Sequence, residues 1–563
     1  MKKIIVLLTL ILSTGIIQSC HDELSQVSNV NQPRVDALNG ELGLAAFAKG
    51  GVYLNGVGGY YPTLDDGLLS GNSLGGLVLI VAGLHDSMGD LIYVPWGNNS
   101  FKFADNPTDF TLDDNSVVTM PIGVSQPFEL KLRNSRAYGP SNAMLLEWTY
   151  MYFMNNACNV VLANVEKTTF ATGAAAKKAT MKAWAYFWKG YAYSRLGSMY
   201  IAGLINDEPN VTSGNYVTNT ALIAESQKNF DAALAALSGA DISGDAAAYS
   251  DVMSLLIPGQ CQAGKGGIPN PAAFIRNVNT MKARTALVNT RVKDMQSADW
   301  DNILTLATAG IKAADPVFVM KTAQDPNKSY IDPQFGWSAP YTSGSGGTYF
   351  VSERLIQDFD QTNDTRFLNN FDLLGSPVVN KRGRGLGFGT RWNLIDGGAG
   401  MPNAITYVNV SNYGKDDIYL AGSYEENELM KAEATIQKGN ISAGAAIIDG
   451  VRSYQKAGLA AIVPSTSAAA LEELRKERRI ALLFRSLAFY DARRNGITDD
   501  KSKGGGRANA VVLSANPSTG ATIVNTKAFI NYNYLPYFDV PGNELDFNAP
   551  AAGSAPVSTT ILQ

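Results

Sequence analysis

The chain has 563 residues, with 46 Lys and Arg against 50 Asp and Glu and a net charge of −4. This balance gives no basic footprint for nucleic acid, while 45% hydrophobic residues over such a length can bury a large core. With only two histidines, His21 and His85, a multi-histidine zinc site is excluded, and a Ser-His-Asp relay would have to use His85, the one histidine of the body.

The chain opens on Met1-Lys2-Lys3, continues with an apolar run from Ile4 to Leu12 broken by Thr9, and reaches Ile17-Gln18-Ser19-Cys20. A basic start, a short apolar segment and a small residue before a cut describe a secretory signal over residues 1–19. The run falls short of the roughly 20 apolar residues a bilayer span needs. Cys20 directly after the small residue fits a lipobox, with cleavage before it and acylation of its thiol. Each buried CH₂ contributes about 0.8 kcal/mol of attachment, so such an anchor holds the chain while its body stays in water. Cleavage removes Lys2 and Lys3 and no acid, leaving 544 residues at a net charge of −6. Asp22 and Glu23 resemble the surface-export signal of some bacterial lipoproteins, which predicts an outer-membrane position facing outward. The longest later apolar stretch, Leu77–Leu84, is far below a span.

Residues 148–165 form the first helix candidate of the body. The strongest periodicity follows: Met181, Trp184, Ala185, Trp188, Tyr191, Ala192, Leu196 and Met199 share helical spacing, with Arg195 the one charged residue among them. This predicts a buried helix with Trp188 in the core. Phe230, Ala233, Leu234 and Leu237 mark another, stopped by Gly239. Residues 273–315 read as a helical hairpin: Val278 to Met295 on the first arm, an N-cap at Asp299, and Trp300 to Ile311 on the second. Leu429 to Ile436 and Ile441 to Arg452 flank a turn at Gly439-Asn440. One long helix is expected over 467–494, with Glu472, Glu473, Glu477 and their arginine neighbours as a solvated, salt-bridged face. The hairpins have tetratricopeptide size without a strict 34-residue repeat. The expected fold is mainly all-α: degenerate tetratricopeptide-type hairpins over 145–315 and 424–496, and loop-rich segments over 51–140 and 321–423 with few short strands. A 20–50 anchor segment precedes this single domain, 51–563.

Gly259–Lys265 imitates a phosphate-binding loop, but Gly266 stands where Ser or Thr must hold magnesium. It reads as a glycine-rich loop carrying a lysine. His85 reads as structural or solvent-facing. Cys158 and Cys261 are either a disulfide or two buried thiols. No acid pair, metal set, cofactor motif or catalytic residue is assignable. Aromatic loops are the better lead: Trp96 with Asn98 and Asn99, Trp337 with Tyr341, and Trp392. Rings stack on the C–H faces of sugars, and amide forks suit their hydroxyls. The same rings would also serve to staple loops to the helices.

Ala183-Trp184-Ala185-Tyr186-Phe187 through Tyr200, Tyr424 through Ala434 with Gly439-Asn440 and Val451-Arg452, and Glu473 through Gly496 resemble, in order, helices of the SusD/RagB family of nutrient-uptake lipoproteins. Leu355–Phe359 with Asp364-Thr365-Arg366, and Pro536 with Asn543–Asn548, are similar to two further segments of that family. The matches span most of the chain. Phe484-Arg485-Ser486 stands where the family has Glu-Gly, and Asn427 interrupts the acidic helix, which marks a divergent branch. The resemblance implies a SusD-like lipoprotein that caps a SusC-type TonB-dependent transporter and delivers an oligosaccharide, or in RagB-type members a peptide, without making or breaking a bond. A surface glycan hydrolase is the competing class.

Overall fold

The structure, a computed structural model, describes residues 38–54, 77–93, 103–121, 123–321, 350–379, 389–409, 417–516 and 518–559. In chain order, α1 (Glu41–Lys49) and α2 (Leu77–Met88) precede the short strands β1 (Ile92–Tyr93), β2 (Asp109–Thr111) and β3 (Val117–Thr119). Then come α3 (Gln126–Arg133), α4 (Ala143–Asn164), α5 (Ala174–Met199), the strand pair β4 (Ala202–Gly203) and β5 (Val217–Thr218), α6 (Asn219–Leu237), α7 (Ala240–Gly244) and α8 (Ala246–Leu256). The predicted hairpin is α9 (Pro271–Val288) and α10 (Ser297–Thr308). Its first arm ends at Val288, before Met295. Asp299 is not the N-cap but the third residue of the second arm, where its carboxylate accepts the backbone N–H of Gln296 at 2.7 Å.

Strands β6 (Val319–Lys321) and β7 (Phe350–Val351), short helices α11 (Glu353–Ile356) and α12 (Thr365–Asn370), and strands β8 (Phe371–Val379), β9 (Gly389–Leu394) and β10 (Asp417–Tyr419) build the loop-rich part. Helices α13 (Tyr424–Gln437) and α14 (Ile441–Tyr454) follow. The single helix expected over 467–494 is two, α15 (Ser467–Ala481) and α16 (Ala488–Arg494). Strands β11 (Arg507–Ala515) and β12 (Thr522–Asn531) form a hairpin that the sequence pattern passed over, and α17 (Gly542–Leu545) closes the order. β11, β12, β2 and β3 make one four-stranded antiparallel sheet. The fold is mainly helical, as the periodicity predicts. No described helix is long and apolar enough to cross a membrane.

Consecutive helices lie side by side: α4 on α5, α5 on α6, α9 on α10, α13 on α14. Side chains of Thr218, Asn270, Ser423 and Thr466 cap α6, α9, α13 and α15. Helix α5 is buried nearly all round, because small residues let its neighbours close in. A Cβ on Gly190 would sit 2.7 Å from the Phe230 ring. Trp188 is fully buried, and its ring meets Phe318 at 5.2 Å and Phe187 at 5.0 Å, edge to face. Cys158 and Cys261 are two separate buried thiols.

The charged residues depart most from expectation. Glu477 is wholly buried and accepts from Arg366 at 2.6 Å and from Arg452 at 3.0 Å, so that part of the 472–479 run is core, not solvated face. His85 is also buried, which removes the solvent-facing alternative. Its Nε2 lies 2.8 Å from Glu147, which also takes the Arg195 Nε–H at 2.6 Å. Burial lowers the His85 pKa despite Glu147. Nε2 also stands 3.2 Å from Arg195 Nη2, so the ring is held between a carboxylate and a guanidinium.

Truncating Trp188 to Ala should destabilise the fold by ~3–5 kcal/mol; a variant with an unchanged denaturation midpoint would place the ring outside the core. Acid should act through Asp90. Burial would raise its carboxyl, but Arg354, with Arg479 and Arg507, brings it from 3.8 to about 2. A folded-state value below the unfolded one adds stability above the unfolded value and loses it as pH falls through the folded one. Asp90 should therefore cost roughly 2 kcal/mol between about pH 4 and pH 2. Parallel losses in wild type and Asp90→Asn over that window would show that another group titrates.

Candidate functional site

Helix α15 stops at Ala481 although apolar residues continue. Phe484 and Ser486 take left-handed backbone, with φ of 61° and 58°. For residues with a Cβ this costs about 1–2 kcal/mol each. The turn they form carries Arg485 between them. Its guanidinium carbon stands 3.4 Å from the Tyr419 ring centroid, and its Nη2 is 3.5 Å from Glu425 Oε1. Arg485 Nη1 is buried without an acceptor among the described residues.

Around this turn lies a cleft of about 220 Å³. Tyr419 enters from β10, Glu425 from the start of α13, and Tyr454 and Gln455 from the end of α14. Tyr407 and Phe484 close one wall, and Lys265 comes from the glycine-rich loop. Lys265 Nζ lies 4.3 Å from the Tyr454 ring centroid and bonds its hydroxyl. The Lys265 loop thus binds no strand-to-helix phosphate cradle; it starts as a short 3₁₀ turn, Gly259–Gln262, and delivers its lysine to the cleft. Gln455 Nε2 donates to Glu425 Oε1 at 3.3 Å. Burial alone would raise the Glu425 pKa, yet Arg485 and hydrogen bonds hold it below the ordinary range. Burial raises the Tyr407 and Tyr419 hydroxyls, keeping them neutral donors. The cleft therefore offers ring faces, the neutral Tyr419 hydroxyl, two cations and an ionised carboxylate; the Gln455 amide is engaged with Glu425, the Ala481 carbonyl and Arg366, and the Tyr407 hydroxyl with the Ile480 carbonyl. Among the described residues no cluster of three or more His, Cys, Asp or Glu could hold a metal ion. A larger cavity between α15, α16 and β11 has most of its arginines already engaged with carboxylates, so the cleft is the better candidate for recognition by ring faces.

Cys20, Trp96, Asn98, Asn99, Trp337 and Tyr341 lie outside the described residues. The ends of their segments are described. Tyr93, where the Trp96 segment departs, pairs with Phe350, where the Trp337 segment returns. That segment leaves from Lys321, paired with Asp417 on the cleft wall. Trp392 is half-buried on β9, which packs beside β7. Its ring meets Phe367 edge-on at 5.3 Å; Phe367 stacks on Phe371 at 5.9 Å, and Phe371 meets Tyr407 at 6.0 Å. One small core thus carries Trp392 together with the cleft residues Tyr407 and Phe484. Sequence reasoning missed Lys265, Tyr407, Tyr419, Glu425, Tyr454, Gln455 and Arg485. The one available signal was Phe484-Arg485-Ser486, which stands where the family it resembles has Glu-Gly.

No family model and no curated protein sequence matches the chain. Its backbone matches solved structures. A SusD-like carbohydrate-binding protein from Bacteroides fragilis NCTC 9343 aligns with a TM-score of 0.55 at 14% identity, over 91% of this chain and 99% of that one. A SusD-like carbohydrate-binding protein from Bacteroides vulgatus ATCC 8482 gives 0.53 at 15%, over 92% and 98%. A third structure, solved with xylogluco-oligosaccharide, gives 0.52 at 15%, over 94% and 100%. The chain has the SusD-like fold.

Replacing Ser486 by Gly should relieve the left-handed strain and stabilise the protein by about 0.5–1 kcal/mol. Denaturant titration reads this directly, and a destabilised variant would mean that the Ser486 side chain earns its place by a contact.

Proposed function

We propose that this protein is a lipid-anchored, outward-facing outer-membrane protein. It binds an oligosaccharide and, seated on a SusC-type TonB-dependent transporter, passes it on. The observation that carries the glycan part is the cleft at Arg485, where Tyr407, Tyr419 and Tyr454 converge with two cations beside the departure point of an aromatic segment. Aromatic faces with fixed polar groups suit a polyhydroxylated ligand. Solved proteins of this fold are described as carbohydrate-binding, and one is solved with a xylogluco-oligosaccharide, which supports the same reading. No bond is made or broken in this role. A peptide cargo of the RagB type is the second reading, favoured by Lys265, Arg485 and Glu425, whose charges suit peptide termini.

Calorimetry with a xyloglucan heptasaccharide and a tripeptide pool would test both. Arg485→Ala and Trp96→Ala should each weaken the oligosaccharide about tenfold or more with circular dichroism unchanged. Unchanged affinity in Arg485→Ala would remove the cleft from the site, and unchanged affinity in Trp96→Ala would remove that ring. Binding of the peptides alone would transfer the proposal to the second reading. Release of reducing ends from a glycan panel would replace both with a hydrolase.

The anchor is tested separately. Cys20→Ala should leave the protein unprocessed or free of the membrane fraction, and retention of a processed variant would contradict lipidation. Outward orientation predicts cleavage by protease added to whole cells.

A further inference from the structure

A second recess, of about 230 Å³, lies in the helical half, between α4 and the segment that joins β4 to β5. It falls below the roughly 300–1,000 Å³ usual for a drug-sized ligand, so it takes one ring rather than a chain. Trp148 and Tyr152 line it from α4, one helical turn apart, with ring centroids 4.6 Å apart. The polar ends of both rings are committed. Trp148 Nε1 donates to Glu544 Oε2 at 3.3 Å. The Tyr152 hydroxyl donates to the Leu204 carbonyl at 3.0 Å and accepts the Leu204 N–H. What these rings have left to offer a ligand is carbon.

The opposite wall is preset. The Asn206 carbonyl accepts from Asn155 Nδ2 at 3.0 Å, from Asn159 Nδ2 at 2.8 Å and from the Tyr193 hydroxyl at 3.0 Å, which fixes the segment to α4 and α5. Asn210, at a φ of 58°, donates its N–H to Asn156 Oδ1 at 2.7 Å, and Asn156 Nδ2 donates to Asn210 Oδ1 at 3.0 Å. An amide nitrogen carries two hydrogens. This exchange, at the exposed rim, uses one of those on Asn156 and neither of those on Asn210. The Asn206 side-chain amide, on a half-buried residue, has no partner among the described residues. The Thr212 hydroxyl accepts from Asn548 Nδ2 at 3.0 Å and keeps its own hydrogen.

Charge narrows the ligand. Glu544 is the one charged residue on the described walls, and no cation joins it there. Lys189, behind Asn159, is closed off by Asn159 Oδ1 at 2.6 Å and Asp207 at 2.7 Å. An oxyanion would find no counter-charge, whereas a neutral hydroxyl, both donor and acceptor, matches side-chain amides that are both as well. We infer that this recess is a second sugar site, for a single neutral pyranose unit whose C–H face lies on Tyr152 and whose hydroxyls meet Asn156, Asn206 and Asn210. It shares no residue with the Arg485 cleft and stands whether or not that cleft binds a glycan.

The probe is methyl glucoside, with methyl glucuronide as its anionic counterpart, followed by ligand-observed NMR on the whole protein. Methyl glucoside should bind in roughly the millimolar range, and methyl glucuronide at least tenfold more weakly. Binding should persist in Arg485→Ala, which separates this site from the cleft. Asn210→Gly removes an open amide while glycine keeps the left-handed backbone and the N–H to Asn156. Asn206→Ala removes the unpartnered amide and leaves the carbonyl that fixes the segment. Each should weaken methyl glucoside about fivefold or more with circular dichroism unchanged. No binding by the folded protein, equal binding of the glucuronide, loss of binding in Arg485→Ala, or undiminished binding in both asparagine variants would overturn the site.

Discussion

The fold depends on a buried guanidinium. Arg366 has no exposed side-chain surface, and its charge is met by Asp364, Glu477 and Gln455 at once. Glu477 in turn takes Arg452. Leaving one partner of such a set unpaired costs about 3–5 kcal/mol, whereas the complete set is close to neutral in stability. Its value is therefore geometric. It permits one arrangement of the segment around α12 against α14 and α15. Asp358, shared by Arg475, Arg479 and Arg507, repeats the device between the residues after α11, helix α15 and strand β11. The loop-rich part is held to the helices by charges that have no second place to go.

Fixing α15 in this way decides where it ends. The last carbonyls of a helix have no partner within it. Here the Ile480 carbonyl accepts from the Tyr407 hydroxyl at 3.1 Å, and the Ala481 carbonyl from Gln455 Nε2 at 3.1 Å. Both donors are walls of the cleft. The groups that finish the helix and the groups that line the site are thus the same, and the strained Phe484 and Ser486 turn is held from two sides. Strain of a few kcal/mol persists only where the surroundings over-determine it.

Much of this was legible. The helical spacing around Trp188 and the hairpins at 273–315 and 424–457 follow from apolar period alone, because their helices bury broad faces. The break at 482–487 was not, since Leu482 and Phe489 keep a helical spacing across it while the backbone changes hand, and spacing carries no information about φ. The charged run at 472–479 looked like a solvated face because two of its partners, Asp358 and Arg366, lie more than a hundred positions earlier. The cleft failed to show for the same reason: Lys265, Tyr407 and Arg485 meet only after three distant segments have folded. The β11–β12 hairpin lacks the strict alternation of a half-exposed strand, and its bulges between Arg507 and Val512 explain why.

Arg485 is preorganised. Stacked on Tyr419 and held by Glu425, it gives up little side-chain freedom when a ligand arrives, so a contact to it is not offset by ordering. Yet the cleft, at about 220 Å³, is below the usual range for a whole drug-sized ligand. On the proposed reading it therefore grips only part of an oligosaccharide, and the remaining units extend past its mouth. One side of that mouth is Asp417, paired with Lys321 where the segment bearing Trp337 and Tyr341 begins. On that reading the cleft's own share of the affinity is modest: one preorganised cation and the Tyr419 and Tyr454 ring faces meet a single unit, and an aromatic contact of that kind contributes on the order of 0.5–1.5 kcal/mol.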